Sequence, residues 1–264
     1  MKPVVLSANN ICVHRAGRAL LNHVSINLRA GEVTVVMGEN GAGKSTLLNV
    51  CAGDVVPDSG SVTMADRMLY EWKAIERAKM RAVLPQESTL TFMFTALEVV
   101  LLGRSPHCHG YPGAHDHAIA RLALERLEVS HLAERLYPTL SGGERARVML
   151  ARVFAQVWER WSNMPRCLLL DEPIAALDIA HQHIALAAAK SFATEQGIAV
   201  LAVLHDLNLA TQYADEVTLL KNGALFAAGA PAETLTIENV EACFGLRVVS
   251  VKHPVHARRV LVAA

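Results

Sequence analysis

The chain has 264 residues, 52% hydrophobic and 19% charged, with 25 Lys+Arg against 25 Asp+Glu for a formal net charge of zero. That apolar fraction excludes a mainly disordered chain, and neutrality argues against general nucleic-acid binding, which needs basic surface to neutralise phosphates. No stretch approaches the roughly 20 apolar residues of a membrane-spanning helix, the start lacks the apolar run of a secretory signal, and Cys12, Cys51, Cys108, Cys167 and Cys243 show no CxxC spacing; the expectation is a soluble protein of a reducing compartment, the cytoplasm, with one or two domains.

Along the chain, Val4 to Leu6 and Ser25 to Leu28 read as half-buried strands. Glu32 to Met37 is β-branched and apolar and is followed by Gly38, the way a buried strand of a parallel sheet ends. Lys44 to Cys51 predicts a helix opening from a glycine-rich turn. Asp58-Ser59-Gly60 predicts a turn before a strand near Val62. Ala96 to Leu102, Ala118 to Leu127 and Glu144 to Gln156 are dominated by Ala, Leu, Arg and Glu. They predict helices, and together a helical subdomain inserted into an α/β core. Val157 to Pro165 reads as a loop. Strand character returns at Cys167 to Leu170, Ala199 to Val203 and Glu216 to Leu220, with helical segments between, which predicts a parallel sheet with helices on its faces. After Pro231 a short helix and one or two strands follow.

Three motifs carry chemistry. Gly38-Glu39-Asn40-Gly41-Ala42-Gly43-Lys44-Ser45 fits the phosphate-cradling pattern G-x-x-x-x-G-K-[ST]. Glycines let backbone N–H groups turn inward around phosphate oxygens. Lys44 supplies a point charge to the β- and γ-phosphates, the Ser45 hydroxyl can ligate Mg²⁺, and the helix that continues through Thr46 adds its positive dipole end. In Leu168-Leu169-Leu170-Asp171-Glu172 an apolar strand ends in two acids. Asp171 can hold Mg²⁺ through water, and Glu172 can polarise an attacking water. Leu140-Ser141-Gly142-Gly143-Glu144 places a Ser and two glycines at a helix start, an anion site by the same physics. Each has a plainer alternative: a chance glycine turn, two surface acids, an N-cap with its capping acid.

With all three in order, the sequence resembles the ATP-binding subunits of ABC transporters over nearly its whole length. The resemblance implies an α/β fold: a P-loop NTPase (RecA-like) core with an N-terminal antiparallel β subdomain and an inserted α-helical subdomain. It divides the chain into core and β subdomain (1–86 and 160–230), helical subdomain (87–159) and C-terminal extension (231–264). It implies a head-to-tail homodimer in which Leu140 to Glu144 of one protomer faces ATP held by the other. Gln86 matches the glutamine that touches metal and water, Asp178 the loop crossing the dimer interface, and His205 the switch histidine reaching the γ-phosphate. The metal set would be Ser45, Gln86 and Asp171. Where the family often has an aromatic ring stacked on adenine, this chain has Arg15 beside His14; a guanidinium plane can stack on a base. After Pro173 the usual Thr-Ser is replaced by Ile174-Ala175.

Leu101-Leu102-Gly103-Arg104-Ser105-Pro106-His107, Ala180-His181-Gln182-His183 and Leu204-His205-Asp206-Leu207-Asn208-Leu209-Ala210 resemble ATPases driving import of iron chelates, cobalamin and haem, most of all the haem branch. This implies two permease subunits, a periplasmic haem-binding protein and a peripheral place on the cytoplasmic face of the membrane. Siderophore or cobalamin import is the alternative. A non-transport ABC ATPase is disfavoured by the single cassette, the lack of heptads and the lack of a basic tail. His107-Cys108-His109 and His115-Asp116-His117 could ligate Zn²⁺ or haem iron, but the Gly and Pro residues between them favour an ordinary polar loop.

Overall fold

The computed structural model describes residues 2–86, 92–108, 110–252 and 259–264. Its strands are β1 (Val4–Arg15), β2 (Arg18–Arg29), β3 (Val33–Met37), β4 (Ser59–Met64), β5 (Arg67–Met68), β6 (Arg81–Leu84), β7 (Cys167–Asp171), β8 (Ala199–Val203), β9 (Glu216–Lys221), β10 (Ala224–Gly229), β11 (Val248–Lys252) and β12 (Arg259–Ala263). Its helices are α1 (Lys44–Ala52), α2 (Ala74–Met80), α3 (Ala96–Leu102), α4 (Ala114–Arg126), α5 (Gly142–Gln156), α6 (Ile179–Gln196), α7 (Leu207–Tyr213), α8 (Pro231–Thr234) and α9 (Ile237–Phe244).

The central sheet has the order β10-β9-β3-β8-β7-β6. Strands β9, β3, β8, β7 and β6 are parallel, and β10 closes the edge antiparallel. Every residue of β3, β7 and β8 is buried, which is why these strands read as unbroken apolar runs. Alternate residues serve two cores. Val35, Leu168, Leu170, Val200 and Ala202 pack with α3 to α6. Val36, Leu169, Leu201 and Val203 pack with α1 and the four-stranded antiparallel sheet β2-β1-β4-β5. Strands β11 and β12 form a separate antiparallel pair. This is the α/β layering expected from the sequence, with the antiparallel β sheet on one side of the central sheet and the helices α3 to α6 on the other.

Several elements differ from expectation. Strands β1 and β2 run 12 residues each, because register shifts at Ala8/Ile11 and beyond break the alternation that marks a strand. Ser59 and Gly60 are not a turn but the start of β4. Gly60 has φ +93°, and a Cβ there would lie 2.4 Å from the Asn10 carbonyl oxygen, so this glycine serves a close crossing over β1. Helices α4 and α5 start earlier than read, at Ala114 and Gly142, since capping acids at Asp116 and Glu144 secure glycine-led first turns. Helix α2 and strand β10 carried no readable period.

The Leu101 to His107 segment turns out to be a packing device. A Cβ on Gly103 would sit 2.1 Å from the Arg152 carbonyl oxygen, where the end of α3 crosses α5. Arg104, 1% exposed, donates to Asp116 Oδ1 (2.9 Å), to the Ala155 carbonyl (2.9 Å) and to Glu159. His107 Nε2 meets the Gln156 carbonyl (2.8 Å) and His115 Nε2 meets Glu159 Oε2 (2.8 Å). Gln156 in turn donates to the carbonyls of Ala78 (2.8 Å) and Arg81 (3.0 Å), strapping α5 to the sheet.

Candidate active site

The cradle is built where β3 meets α1. Gly38, Gly41 and Gly43 have φ of +150°, +80° and +100°, the left-handed region that L side chains adopt only at a cost. Two of them also face close neighbours: a Cβ on Gly38 would lie 2.2 Å from the Leu220 carbonyl oxygen, and one on Gly43 2.6 Å from that of Leu20. Strand β2 and the end of β9 thus press on the loop from outside, and the turn after β9 bonds to both β2 and the loop. Asn22 N–H donates to the Gly223 carbonyl (2.7 Å) and Gly223 N–H to that of Ala42 (3.2 Å). Gly43 caps α1, so the helix's N–H groups open into the loop. Lys44 is buried and its Nζ donates to the carbonyls of Gly38 and Glu39, both at 2.9 Å. Burial pulls its pKa below the usual lysine range, against the raising effect of Glu172 and Asp171. Glu39, Asn40 and Gly41 are exposed at the tip; Ala42 is buried and Ser45 and Thr46 half-buried.

Strand β7 brings the acids to the same place, because β7, β8 and β3 are adjacent and parallel and end on one side. Ser45 Oγ donates to Asp171 Oδ1 (3.2 Å). Asp171 is buried, and burial pushes its pKa up, with the charge of Glu172 adding to the rise and the Ser45 bond opposing it. Glu172 leaves the strand with φ +50°, a conformation costing a non-glycine residue on the order of 1–3 kcal/mol. The turn sets its carboxylate against the loop after β8, where His205 Nε2 lies 2.7 Å from Glu172 Oε1. Glu172 is 19% and His205 47% exposed. Gln86, at the end of β6, shares a cleft of about 240 Å³ with Asp171, Glu172, Tyr137, Gly142 and Arg145. Arg145 was missed in the sequence; its place next to Glu144 was the available signal.

A hydroxyl and a carboxylate 3.2 Å apart, the latter disfavoured as a bare charge by burial, form a hard-oxygen donor set. It suits Mg²⁺ rather than a soft metal.

Of Leu140 to Glu144, Gly142 lines this cleft; the remaining candidates lie elsewhere on the chain. Ser141 accepts from Glu144 N–H (3.2 Å) while Glu144 accepts from Ser141 N–H (2.7 Å) and pairs with Arg135 (3.7 Å). These bonds hold Glu144 below the usual carboxylate range, the Ser141 N–H contributing most. Ser141 and Gly142 are exposed, and Leu140 is buried beneath them. Asp178 caps α6, accepting from His181 N–H (3.0 Å) and meeting His181 Nδ1 (2.8 Å). Arg15 is tied to the His14 carbonyl (2.7 Å) and to Asp58 (3.6 Å). In the 107–117 segment, His107, His115 and Asp116 are engaged in the Arg104 network; His109 lies outside the described residues. Among the described residues no group of three or more His, Cys, Asp or Glu could hold a metal ion.

Comparison with known proteins places this geometry. The ABC transporter family model matches residues 21–175. The chain is 56% identical to the hemin import ATP-binding protein HmuV of Gloeobacter violaceus, covering 95% of this chain and 90% of that one. It is 51% identical to the protein of the same name from Myxococcus xanthus, covering 94% and 93%. Among solved structures, a metal-chelate type ABC transporter in an inward-facing conformation superposes with TM-score 0.83 at 28% identity, over 99% of this chain and 98% of that one. A dimeric ATP-binding cassette with ADP and Pi bound superposes with TM-score 0.75 at 26% identity, over 86% and 98%. The chain belongs to the ABC transporter family, as one of its ATP-binding cassettes.

Proposed function

We propose that this chain hydrolyses ATP to drive import of hemin through a membrane permease. Hydrolysis rests on one observation above all: the Ser45–Asp171 and Glu172–His205 pairs stand together at the strand ends beside the glycine loop. Hemin rests on near full-length similarity to two hemin import proteins.

In this reading the backbone of Gly38 to Lys44, with Thr46 in the first helical turn, cradles the phosphates, and Arg15 stacks on the base. Glu172 takes a proton from the attacking water, and His205 holds that carboxylate and reaches the γ-phosphate. Ser45, Asp171 and Gln86 would hold Mg²⁺, which supplies neutralisation of charge on the phosphate oxygens. Catalysis is mostly positioning and fixed charge. Residues Leu140 to Glu144 of a second protomer complete the site, with Asp178 at the seam, so the working unit is a homodimer. It sits peripherally on the cytoplasmic face of the membrane with two permease subunits and a periplasmic haem-binding protein. No helix among the described residues is long and apolar enough to cross a membrane. Phe92, Met93 and, at the end of α3, Leu102 are exposed, apolar side chains suited to a permease contact.

The test is ATPase activity in proteoliposomes holding the chain, its permease and its binding protein. Hemin-loaded binding protein is expected to stimulate turnover where siderophore or cobalamin does not. Turnover indifferent to hemin but raised by a siderophore or cobalamin would replace hemin with that substrate.

A further inference from the structure

The C-terminal strand pair is tied to α7, the helix that follows His205, through the side chain of Asn208. Asn208 Nδ2 donates to the Leu261 carbonyl (3.1 Å), and Asn208 Oδ1 accepts from Leu261 N–H (2.9 Å). Both backbone groups of this β12 residue therefore go to a single amide, which stands in for a neighbouring strand. Asn208 is half-buried, and with donor and acceptor both in use it has one orientation.

Asn208 lies in the first turn of α7, three residues after His205. Between them Asp206 caps the helix, its Oδ1 accepting from Asn208 N–H (2.7 Å) and Leu209 N–H (2.8 Å). At the far end of α7, Tyr213 Oη meets His183 Nδ1 of α6 at 2.8 Å. The helix is thus pinned at both ends, by β12 and by α6. His205 itself is held less firmly. Before it, Leu204 N–H donates to the Val36 carbonyl (3.3 Å); its own ring is half exposed and bonds to Glu172. Where the imidazole stands against Glu172 therefore follows from where the first turn of α7 is fixed.

The structure assigns Asn208 as a positioning residue that ties the C-terminal strand pair to α7 and so sets His205 against Glu172. The assignment rests on the role of His205 in hydrolysis proposed above. An apolar residue would fill the same space without fixing α7 to a backbone. A displacement of about 1 Å is enough to cost on the order of 10²-fold in rate.

The test is a double-mutant cycle on the full chain, measuring ATP turnover and ATP affinity for wild type, Asn208→Ala, His205→Ala and the double variant. Asn208→Ala is expected to lower turnover about ten- to a hundredfold with ATP affinity unchanged, and to add nothing on the His205→Ala background. Wild-type turnover in Asn208→Ala beside an impaired His205→Ala would overturn the assignment. So would losses that multiply in the double variant, or a loss of ATP affinity in Asn208→Ala. If His205→Ala itself kept wild-type turnover, the role of His205 would fall first and the assignment with it.

Discussion

Replacing Glu172 with Gln lowers ATP turnover by about 10²–10⁴-fold, the usual contribution of a positioned general base, and leaves ATP affinity near wild type. The amide has the carboxylate's shape and can still bond to His205, so the turn at φ +50° and the 2.7 Å contact persist. What it lacks is basicity, and water then has no acceptor for its proton. The cradle is untouched, since Lys44 bonds to the Gly38 and Glu39 carbonyls and the loop packs closely against Leu20 of β2 and Leu220 of β9. Phosphate release and equilibrium ATP binding, measured on the same preparation, separate the two effects. Near-normal turnover would remove Glu172 from the chemistry.

The second large effect is on stability. Arg104→Ala is expected to destabilise the fold by about 3 kcal/mol, the lower end of the range for removing one partner of a buried ion pair. Three hydrogen bonds vanish together, and the Ala155 carbonyl and Asp116 are left in the interior without them. Water reaches Glu159, which is 38% exposed, and this keeps the loss from the upper end. Arg104→Lys should recover only part, because one ammonium cannot span three partners held by a planar guanidinium. Urea denaturation of the three proteins gives the comparison. A loss within the ±0.5 kcal/mol typical of surface positions would show that the network is ornamental.

The parts of this molecule legible in the sequence are those where local backbone demands specify residue type. The loop from Gly38 to Ser45 needs positive φ at three places, so its glycines announce it. Asp171 and Glu172 stand out because a fully buried parallel strand cannot carry acids until it ends. Ser141 and Glu144 form a capping box three residues apart, visible without any tertiary contact. What was not legible depends on partners far along the chain. Gly60 looked like a turn because nothing nearby shows that β1 crosses over it. The 107–117 segment read as an ordinary polar loop, and its network stayed hidden because Arg104 and Glu159, which engage Asp116 and His115, are separated from each other by most of the helical subdomain. The helix and strands after Pro231 were legible, but the role of the tail from Leu246 was not, since its bond to α7 runs from one amide to backbone 53 residues away.

The central claim is that the catalytic site is shared between two copies of the chain. Ser141 and Gly142 are exposed, and the side-chain bonds of Ser141 and Glu144 stay at the helix start and Arg135. The measurement is ATP affinity and ATP turnover of Ser141→Arg. The account predicts wild-type ATP affinity in the isolated protomer together with lost turnover, because the cradle is whole and only the partner's half is damaged. Turnover at the wild-type level, or affinity lost along with turnover, would contradict it.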